Sequence, residues 1–185
     1  GLVNGKGKDF WARELQFSKS RPTEPLERLL CAYKCAGNGF VRTDSEDGEA
    51  ELFCIEHLVP TYVDLMNPAV TKEFIKVTHE VYKSELGEYF GKTIKGIFTD
   101  EPQLLGCFPW SPEIEKAYKN EYGGDILDAL WMLYAKDCGY ELKYRYRKLT
   151  NQLFLESYVR PINEWCLQNG LVFTGHFGCE DGLVD

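Results

Sequence analysis

The sequence has no long apolar run, few prolines and no excess of positive charge. No stretch approaches the roughly 20 apolar residues that cross a bilayer, and the opening GLVNGKGKDF lacks the apolar stretch of a signal peptide. The 8 Pro and 17 Gly among 185 residues exclude collagen-like and low-complexity chains. Lys and Arg number 21 against 29 Asp and Glu, for a net charge of -8. Because this charge repels phosphate backbones and anionic lipid, we expect no nucleic acid and no membrane as partners.

Several motifs that identify enzyme classes are also absent from the sequence. There is no G-x-S-x-G, no G-x-x-x-x-G-K-[ST], no H-E-x-x-H and no G-x-G-x-x-G. Serine hydrolases, nucleotide triphosphatases and dinucleotide-dependent enzymes are therefore disfavoured. His57 and His79 do not form a second ligand cluster that could complete a metal site at His176. We expect no metal and no cofactor.

The seven cysteines are an odd number and stand in apolar stretches. This pattern suits buried thiols in a reducing compartment better than a disulfide framework, and it favours a cytoplasmic location. Cys31 and Cys35 form a C-x3-C pair without a second Cys/His pair at zinc-site spacing. Strand alternation would place both thiols on one face, so we expect them to be core residues.

What is present is a globular composition, 44% hydrophobic and 27% charged. Residues 1–25 are rich in Gly, Lys and Arg, and predict a loop or arm with a short helical turn between residues 10 and 17. Residues 26–59 predict a β-hairpin subdomain, because two strand-like runs, 28–35 and 51–57, flank Gly37-Asn38-Gly39 and an acidic stretch.

A different pattern begins at Thr61. The strand-like TYVDL precedes Asn67-Pro68, which predicts a helix N-terminus, and the helix extends to about Leu86. Another strand, 93–99, then ends at Asp100-Glu101-Pro102. The apolar positions of the helix predict its buried face: Val70, Phe74, Val77, Val81 and Tyr82.

A second unit of the same kind follows. Ser111-Pro112 begins a helix that ends at Gly123-Gly124, Asp125 caps a further helix, and residues 144–168 form a long one. Residues 171–175 then predict a last strand. Alternating strands and helices indicate a parallel sheet. We therefore expect an α/β fold, a partial (β/α)8 TIM barrel over residues 60–185 with the hairpin as an insertion, and we expect the chain to be a piece of a longer protein.

In parallel sheets the active site lies at the carboxyl ends of the strands. Those ends supply Asp64, the pair Asp100 and Glu101, and His176 with Glu180. Partial burial at the mouth of a sheet can raise a carboxyl pKa, so that Glu101 could donate a proton to a glycosidic oxygen. The alternative is that both acids only cap the turn or pair with a basic side chain.

Two further residues are candidates for contact with substrate. Trp110 lies just beyond the acids, where its ring could stack on the apolar face of a sugar or pack beneath the loop. His176 could be a hydrogen-bond donor, a general base, a metal ligand with Glu180 and Asp181, or a structural residue. The residue pattern alone leaves these roles open.

The chain resembles the catalytic-barrel region of large bacterial glycoside hydrolases, of the alpha-L-rhamnosidase-like family 106 or the clan-A beta-galactosidases. The stretches that carry the resemblance are YVDLMNPAVTKEFIKVTHEVY, GKTIKGIFTDEPQ, PWSPEIEKAYKNEYGGDIL and PINEWCLQNGLVFTGHFGCED. Its most specific element is F-T-D-E-P followed later by T-G-H. In the clan a strand ends in Asn-Glu, and this Glu is the acid/base. The resemblance implies that Glu101 is the proton donor and that His176 lies near the sugar, although Asp100 replaces the clan's Asn.

The resemblance predicts a fragment of a glycoside hydrolase that acts on carbohydrate, with Glu101 as general acid and Asp64, Asp100, Trp110, His176 and Glu180 around the substrate. Hydrolysis needs a second carboxyl group, which the clan takes from a strand beyond this chain. The alternative is a noncatalytic α/β module that binds carbohydrate or a protein. An open part-barrel would expose strand edges, so a homodimer through these edges is also expected.

Overall fold

Five antiparallel strands form the larger of two sheets in the computed structural model, which describes residues 7–44 and 46–176. The sheet is curled, and its spatial order is β3-β2-β4-β1-β6. The strands are β1 (Trp11–Ser18), β2 (Glu27–Ala36), β3 (Gly39–Thr43), β4 (Leu52–Val63) and β6 (Pro109–Trp110).

The predicted pairing of the two runs in residues 26–59 is confirmed. β2 and β4 are antiparallel, with Leu29 opposite Ile55 and Tyr33 opposite Leu52. The acidic connection between them also contains β3, which pairs with β2 across the two-residue loop Gly37-Asn38. Gly37 has a φ of 59°, and glycine adopts such a value without the steric cost that a side chain imposes.

β1 replaces the loop and helical turn that the sequence predicted before residue 18. It pairs along its whole length with β4, from Trp11 opposite Val63 to Ser18 opposite Phe53. Ala12 and Leu15 are buried by this pairing. The segment is rich in helix-forming residues, but burial against a neighbouring strand overrides intrinsic propensity.

Residues 68–86 form the predicted first helix. It consists of α1 (Pro68–Phe74), a π-helical segment (Ile75–His79) and α2 (Glu80–Leu86). The predicted cap is confirmed, because Asn67 Oδ1 accepts a hydrogen bond from the backbone N–H of Ala69 at 3.0 Å. In a π-helical segment each backbone hydrogen bond spans one residue more than in an α-helix. The segment therefore rotates the face that the following residues bury.

That rotation explains why the predicted buried face fails beyond the first turns. Val70 is buried and Phe74 is half-buried, but Val77, Val81 and Tyr82 are exposed. His79, which a regular helix would turn towards water, is only 3% exposed.

The remaining helices follow the predicted order. Ser111 Oγ accepts from the N–H of Glu113 and caps the next helix, and Gly123 ends it. Asp125 caps a 3-10 turn rather than a full helix. No helix in the described part of the chain is both long and apolar enough to span a bilayer. The helices are α3 (Pro112–Tyr122), α4 (Trp131–Tyr134), α5 (Tyr140–Phe154) and α6 (Arg160–Gln168), with a π-helical segment (Leu155–Val159) joining the last two.

The second sheet has two parallel strands, β5 (Gly96–Asp100) and β7 (Val172–His176). Gly96 lies opposite Val172, and Asp100 lies opposite His176. The carboxyl ends of both strands are therefore level with each other.

Two main cores hold the sheets and helices together. One face of the antiparallel sheet packs against α3, α4 and α5, around Tyr33, Cys54 and Trp110. A second core, around Tyr158, Ile162 and Trp165, lies between the inner face of the parallel sheet and the helices of residues 68–86 and 155–168. A small cluster of Ala32, Phe53 and Ile55 covers part of the opposite face of the larger sheet.

The prediction of a partial TIM barrel is wrong. TYVDL does not begin a parallel sheet, because Tyr62 and Val63 are the end of β4, which is antiparallel to β1. The sequence indicated a break at Pro60, but Pro60 lies where the β1–β4 register shifts, between the pairs Ala12–Val59 and Trp11–Val63. A bulge accommodates a proline because the ladder is already interrupted there. The expected homodimer through exposed barrel edges stays a prediction.

Candidate functional site

The carboxyl ends of β5 and β7 bring three of the predicted site residues together. Asp100 is directly opposite His176, and the backbone N–H of Glu101 donates to the His176 carbonyl at 2.9 Å. The strands approach closely at Gly175, where an added Cβ would stand 2.0 Å from the Thr99 carbonyl oxygen. A side chain at position 175 would therefore separate the two strand ends that form the site.

The outer face of this sheet carries an aromatic ring beside an acid and a histidine. The Phe98 and His176 rings meet edge to face with centroids 5.3 Å apart, and His176 Nδ1 lies 3.9 Å from Asp100 Oδ1. Phe98 is 56% exposed, and the side chains of Asp100 and His176 are 79% and 64% exposed. We call Phe98, Asp100, Glu101 and His176 the strand-end cluster.

The cluster lies on a face that neither core covers. Parallel strands are normally buried on both faces, yet Phe98 and Val172 are exposed on this one. The inner face, with Ile97 and Phe173, packs into the second core. Within residues 7–44 and 46–176, the cluster is therefore accessible to a ligand that approaches from solvent.

Glu101 has an unusual backbone conformation. Its φ is 47°, and within the described residues it is the single non-glycine residue with a positive φ. Pro102 follows it, and proline pushes the preceding residue towards extended conformations. The backbone of Glu101 is thus strained, which is common at functional sites. Its side chain is exposed.

A small hollow lies beside the strand ends, between β4, α1 and the helix at Tyr158. Its volume is about 190 Å³, compared with about 150 Å³ for a cavity that holds benzene. Asp100 and Pro102 close one side, and Tyr158 Oη shares a 2.9 Å hydrogen bond with Thr99 Oγ1. Thr71 Oγ1 is buried in the wall and has no hydrogen-bond partner among the residues that the structure describes. The other lining residues are Tyr62, Val63, Leu65, Val70 and Phe74.

Asp64 belongs to a buried polar network instead of the strand-end cluster. Its Oδ2 accepts from Ser111 Oγ at 2.7 Å and from Arg13 Nη1 at 3.3 Å, and its Oδ1 accepts from the Met66 N–H at 3.0 Å. Burial raises the pKa of Asp64 to about 6, because the loss of hydration outweighs these three donors. Arg13 also contacts Glu56 at 3.2 Å, so the network ties β1 to β4 and to the start of α3.

Trp110 is in the main core. It is 1% exposed, lies in β6 opposite Arg13, and is among the largest fully buried side chains. Of the two alternatives for this residue, packing beneath the loop is the one observed. Glu180, together with Asp181, lies outside the described residues.

Phe98 is the site residue that the sequence analysis missed. The sequence predicts a strand over residues 93–99, and Phe98 is one of its apolar residues. A signal was present, because Phe98 and Asp100 are two positions apart and side chains at that spacing share one face of a strand. If Asp100 faces the site, Phe98 has to face it too.

The chemistry available at the cluster is that of hydrogen bonding and ring stacking. The carboxylates accept hydrogen bonds, the imidazole donates or accepts, and the phenyl ring offers an apolar surface. Within residues 7–44 and 46–176, no group of three or more His, Cys, Asp or Glu residues is arranged to hold a metal ion. Comparison with protein-family models, with curated proteins and with solved structures gave no match.

Proposed function

We propose that the chain binds carbohydrate at the strand-end cluster. The observation that carries this proposal is the exposed Phe98 ring beside Asp100 and His176. Sugar rings have an apolar face of C–H groups and an edge of hydroxyl groups. The phenyl ring matches the first, and the carboxylate and imidazole match the second.

The charge of the chain and the hydrogen-bonding needs of Asp100 both favour a neutral polar ligand. The net charge of -8 disfavours anionic ligands, and Asp100 at the site adds local negative charge. A purely apolar partner would leave the Asp100 carboxylate without hydrogen bonds on binding, which is costly. Hydroxyl groups donate to the carboxylate and keep it satisfied.

Titration with oligosaccharides of different composition, followed by NMR and calorimetry, tests the proposal. Phe98→Ala should weaken binding about tenfold, because it removes the stacking surface. Asp100→Asn should weaken it by a similar factor, because a charged acceptor is replaced by a neutral one.

Matched controls lie on the same molecule. Val172→Ala removes an exposed apolar side chain at the opposite end of the same sheet, and Asp137→Asn removes an exposed acid before α5. Both should bind like the parent chain. Losses of equal size in the controls, or no binding by any tested oligosaccharide, would contradict the proposal.

The strained backbone of Glu101 favours hydrolysis of glycosidic bonds as a second candidate function. Strain is retained where it positions a reactive group, and Glu101 is also the residue that the glycoside hydrolase resemblance implies as proton donor. Asp100 is the adjacent carboxylate, and Glu180 is a further candidate for the second carboxyl group that hydrolysis needs.

Aryl glycosides separate binding from turnover. If the chain releases the aryl group, Glu101→Gln should slow turnover far more for poor leaving groups than for good ones, because only poor leaving groups need protonation. Equal losses for both would argue against proton donation. Binding without any turnover would leave the first proposal standing and remove the second.

A further inference from the structure

Two cysteines face each other inside the larger sheet. Cys31 in β2 and Cys54 in β4 are opposite residues of an antiparallel pair, just after a register shift in β2. Directly opposite residues place their side chains on the same face of a sheet. Both side chains belong to the main core, and both cysteines are free thiols in the structure.

The two thiols interact across the sheet. Cys31 and Cys54 are directly opposite each other, and each shifts the pKa of the other. Cys31 Sγ also donates to Tyr33 Oη at 3.0 Å, and Tyr33 Oη donates to the Leu127 carbonyl at 2.6 Å. Tyr33 is fully buried and fixed by this bond, so it holds Cys31 in place.

The backbone spacing suits a covalent link. Opposite residues of antiparallel strands have Cα atoms about 4.5 to 5.5 Å apart. Disulfides join residues whose Cα atoms are about 4.4 to 6.8 Å apart. The sheet therefore holds Cys31 and Cys54 at a distance that a disulfide spans without a change of register.

We propose that Cys31 and Cys54 form an intramolecular disulfide on oxidation by a peroxide, and that this pair is a redox modification site of the chain. Of the two thiols in this pair, Cys31 reacts first. The interaction with Cys54 lowers the pKa of Cys31, whereas the interaction with Cys31 and burial raise the pKa of Cys54.

The reaction proceeds in two balanced steps. The Cys31 thiolate attacks one oxygen of hydrogen peroxide, the O–O bond breaks, and hydroxide takes up a proton as water, leaving Cys31 as the sulfenic acid. The Cys54 sulfur then attacks the Cys31 sulfur, the S–O bond breaks, and the Cys54 proton leaves with the hydroxyl as a second water. Two thiols are oxidised and one peroxide is reduced.

The pair differs from the other cysteines in the described part of the chain. Cys35, Cys107 and Cys138 are exposed, and Cys166 is buried in the second core. Because Cys31 is only 6% exposed, peroxide reaches it through local opening of the sheet. The exposed thiols should therefore react first, and the Cys31–Cys54 link should form more slowly.

A variant in which Cys35, Cys107, Cys138 and Cys179 are replaced by Ser isolates the reaction. It is treated with hydrogen peroxide in native buffer, alkylated in denaturant and digested with trypsin without reductant. Trypsin cleaves after Lys34 and Arg42, which separates the two cysteines into different peptides. Mass spectrometry should find them joined, with the loss of two hydrogens, and reductant should separate them.

A Cys54→Ala change in the same background is the matched control, since it should leave Cys31 as a sulfenic acid that dimedone traps. The oxidised parent variant should also melt at a temperature roughly 5 °C higher, because the link restricts the unfolded chain. Full alkylation of both thiols after peroxide would overturn the proposal. So would linkage of either one to Cys166, or a link that forms only in denaturant.

Discussion

The two sheets of this protein differ in how completely they are covered. The antiparallel sheet packs one face against three helices and buries Trp110, Tyr33 and Cys54 there. In the part of the chain that the structure describes, only the inner face of the parallel sheet is covered, and Phe98, Asp100 and His176 on its other face are exposed. The first arrangement stabilises the fold, and the second presents side chains to a ligand. Substitutions in the two regions should therefore separate stability from binding.

The largest contrast is expected between two aromatic residues. Trp110→Ala should lower the free energy of unfolding by about 3 to 5 kcal/mol, because it leaves a cavity in the main core. Phe98→Ala should change it by less than about 0.5 kcal/mol, because the ring is largely exposed. Urea unfolding followed by circular dichroism measures both. Similar losses in the two variants would mean that the regions do not differ as described.

The buried polar network gives the next largest effect. Arg13→Met should lower the free energy of unfolding by about 3 kcal/mol, because Glu56 and Asp64 both lose a buried partner. Arg28 also contacts Glu56, at 2.7 Å, but its side chain is mostly in solvent. Arg28→Met should therefore cost less than about 1 kcal/mol. If Arg28→Met lowered the free energy of unfolding as much as Arg13→Met, the exposed contact with Glu56 would stabilise the fold as much as the buried ones.

The next prediction concerns the second core, where the stability of the fold should depend on pH through His79. His79 is buried between the Phe74 and Trp165 rings, and neither of its ring nitrogens is hydrogen-bonded to any described residue. Burial lowers the pKa of His79 below its ordinary value of 6.5, although the negative charge of Glu80 acts to raise this pKa. The folded state therefore binds fewer protons than the unfolded state, and stability falls as the pH falls below 6.5.

His79→Phe removes this proton uptake and keeps a ring in the same place. Its free energy of unfolding should decline less steeply than that of the parent chain as the pH is lowered below 6.5. Unfolding curves at a series of pH values measure the difference. Parallel pH profiles for the two proteins would show that His79 is not held neutral in the folded state.

The smallest expected effect is a gain in stability at the strand-end cluster. Glu101→Gly should raise the free energy of unfolding by about 0.5 kcal/mol, because glycine removes the cost of a positive φ but adds freedom to the unfolded chain. Thermal unfolding measures it, with Gln103→Gly as a control in the same loop that should destabilise. A loss of stability at position 101 would mean that its backbone is not strained.

Local features of the fold were readable from the sequence. The caps at Asn67, Ser111 and Asp125 all accept the backbone hydrogen bonds expected of them. The strands that end near Asp100 and His176 were also expected. Each of these features depends on residues close together in the chain, so the sequence carries the signal directly.

Long-range features were not readable in the same way. The strand character of residues 11–18 depends on pairing with β4, which is about 40 residues away. The burial of His79 depends on a π-helical segment that rotates the helix face. The burial of Trp110 depends on β6 joining β1. None of these has a local pattern that sets it apart from the alternatives.

The sequence by itself determined where helices begin, where apolar strands lie, and that acids and a histidine follow two of those strands. Only the tertiary structure decided that residues 61–63 continue an antiparallel strand instead of beginning a parallel one, and that Phe98 shares an exposed face with Asp100 and His176. The physical reason is that capping and periodicity are local properties of the chain. Strand pairing and burial are set by contacts between distant segments, and the same apolar run can satisfy either a parallel or an antiparallel neighbour.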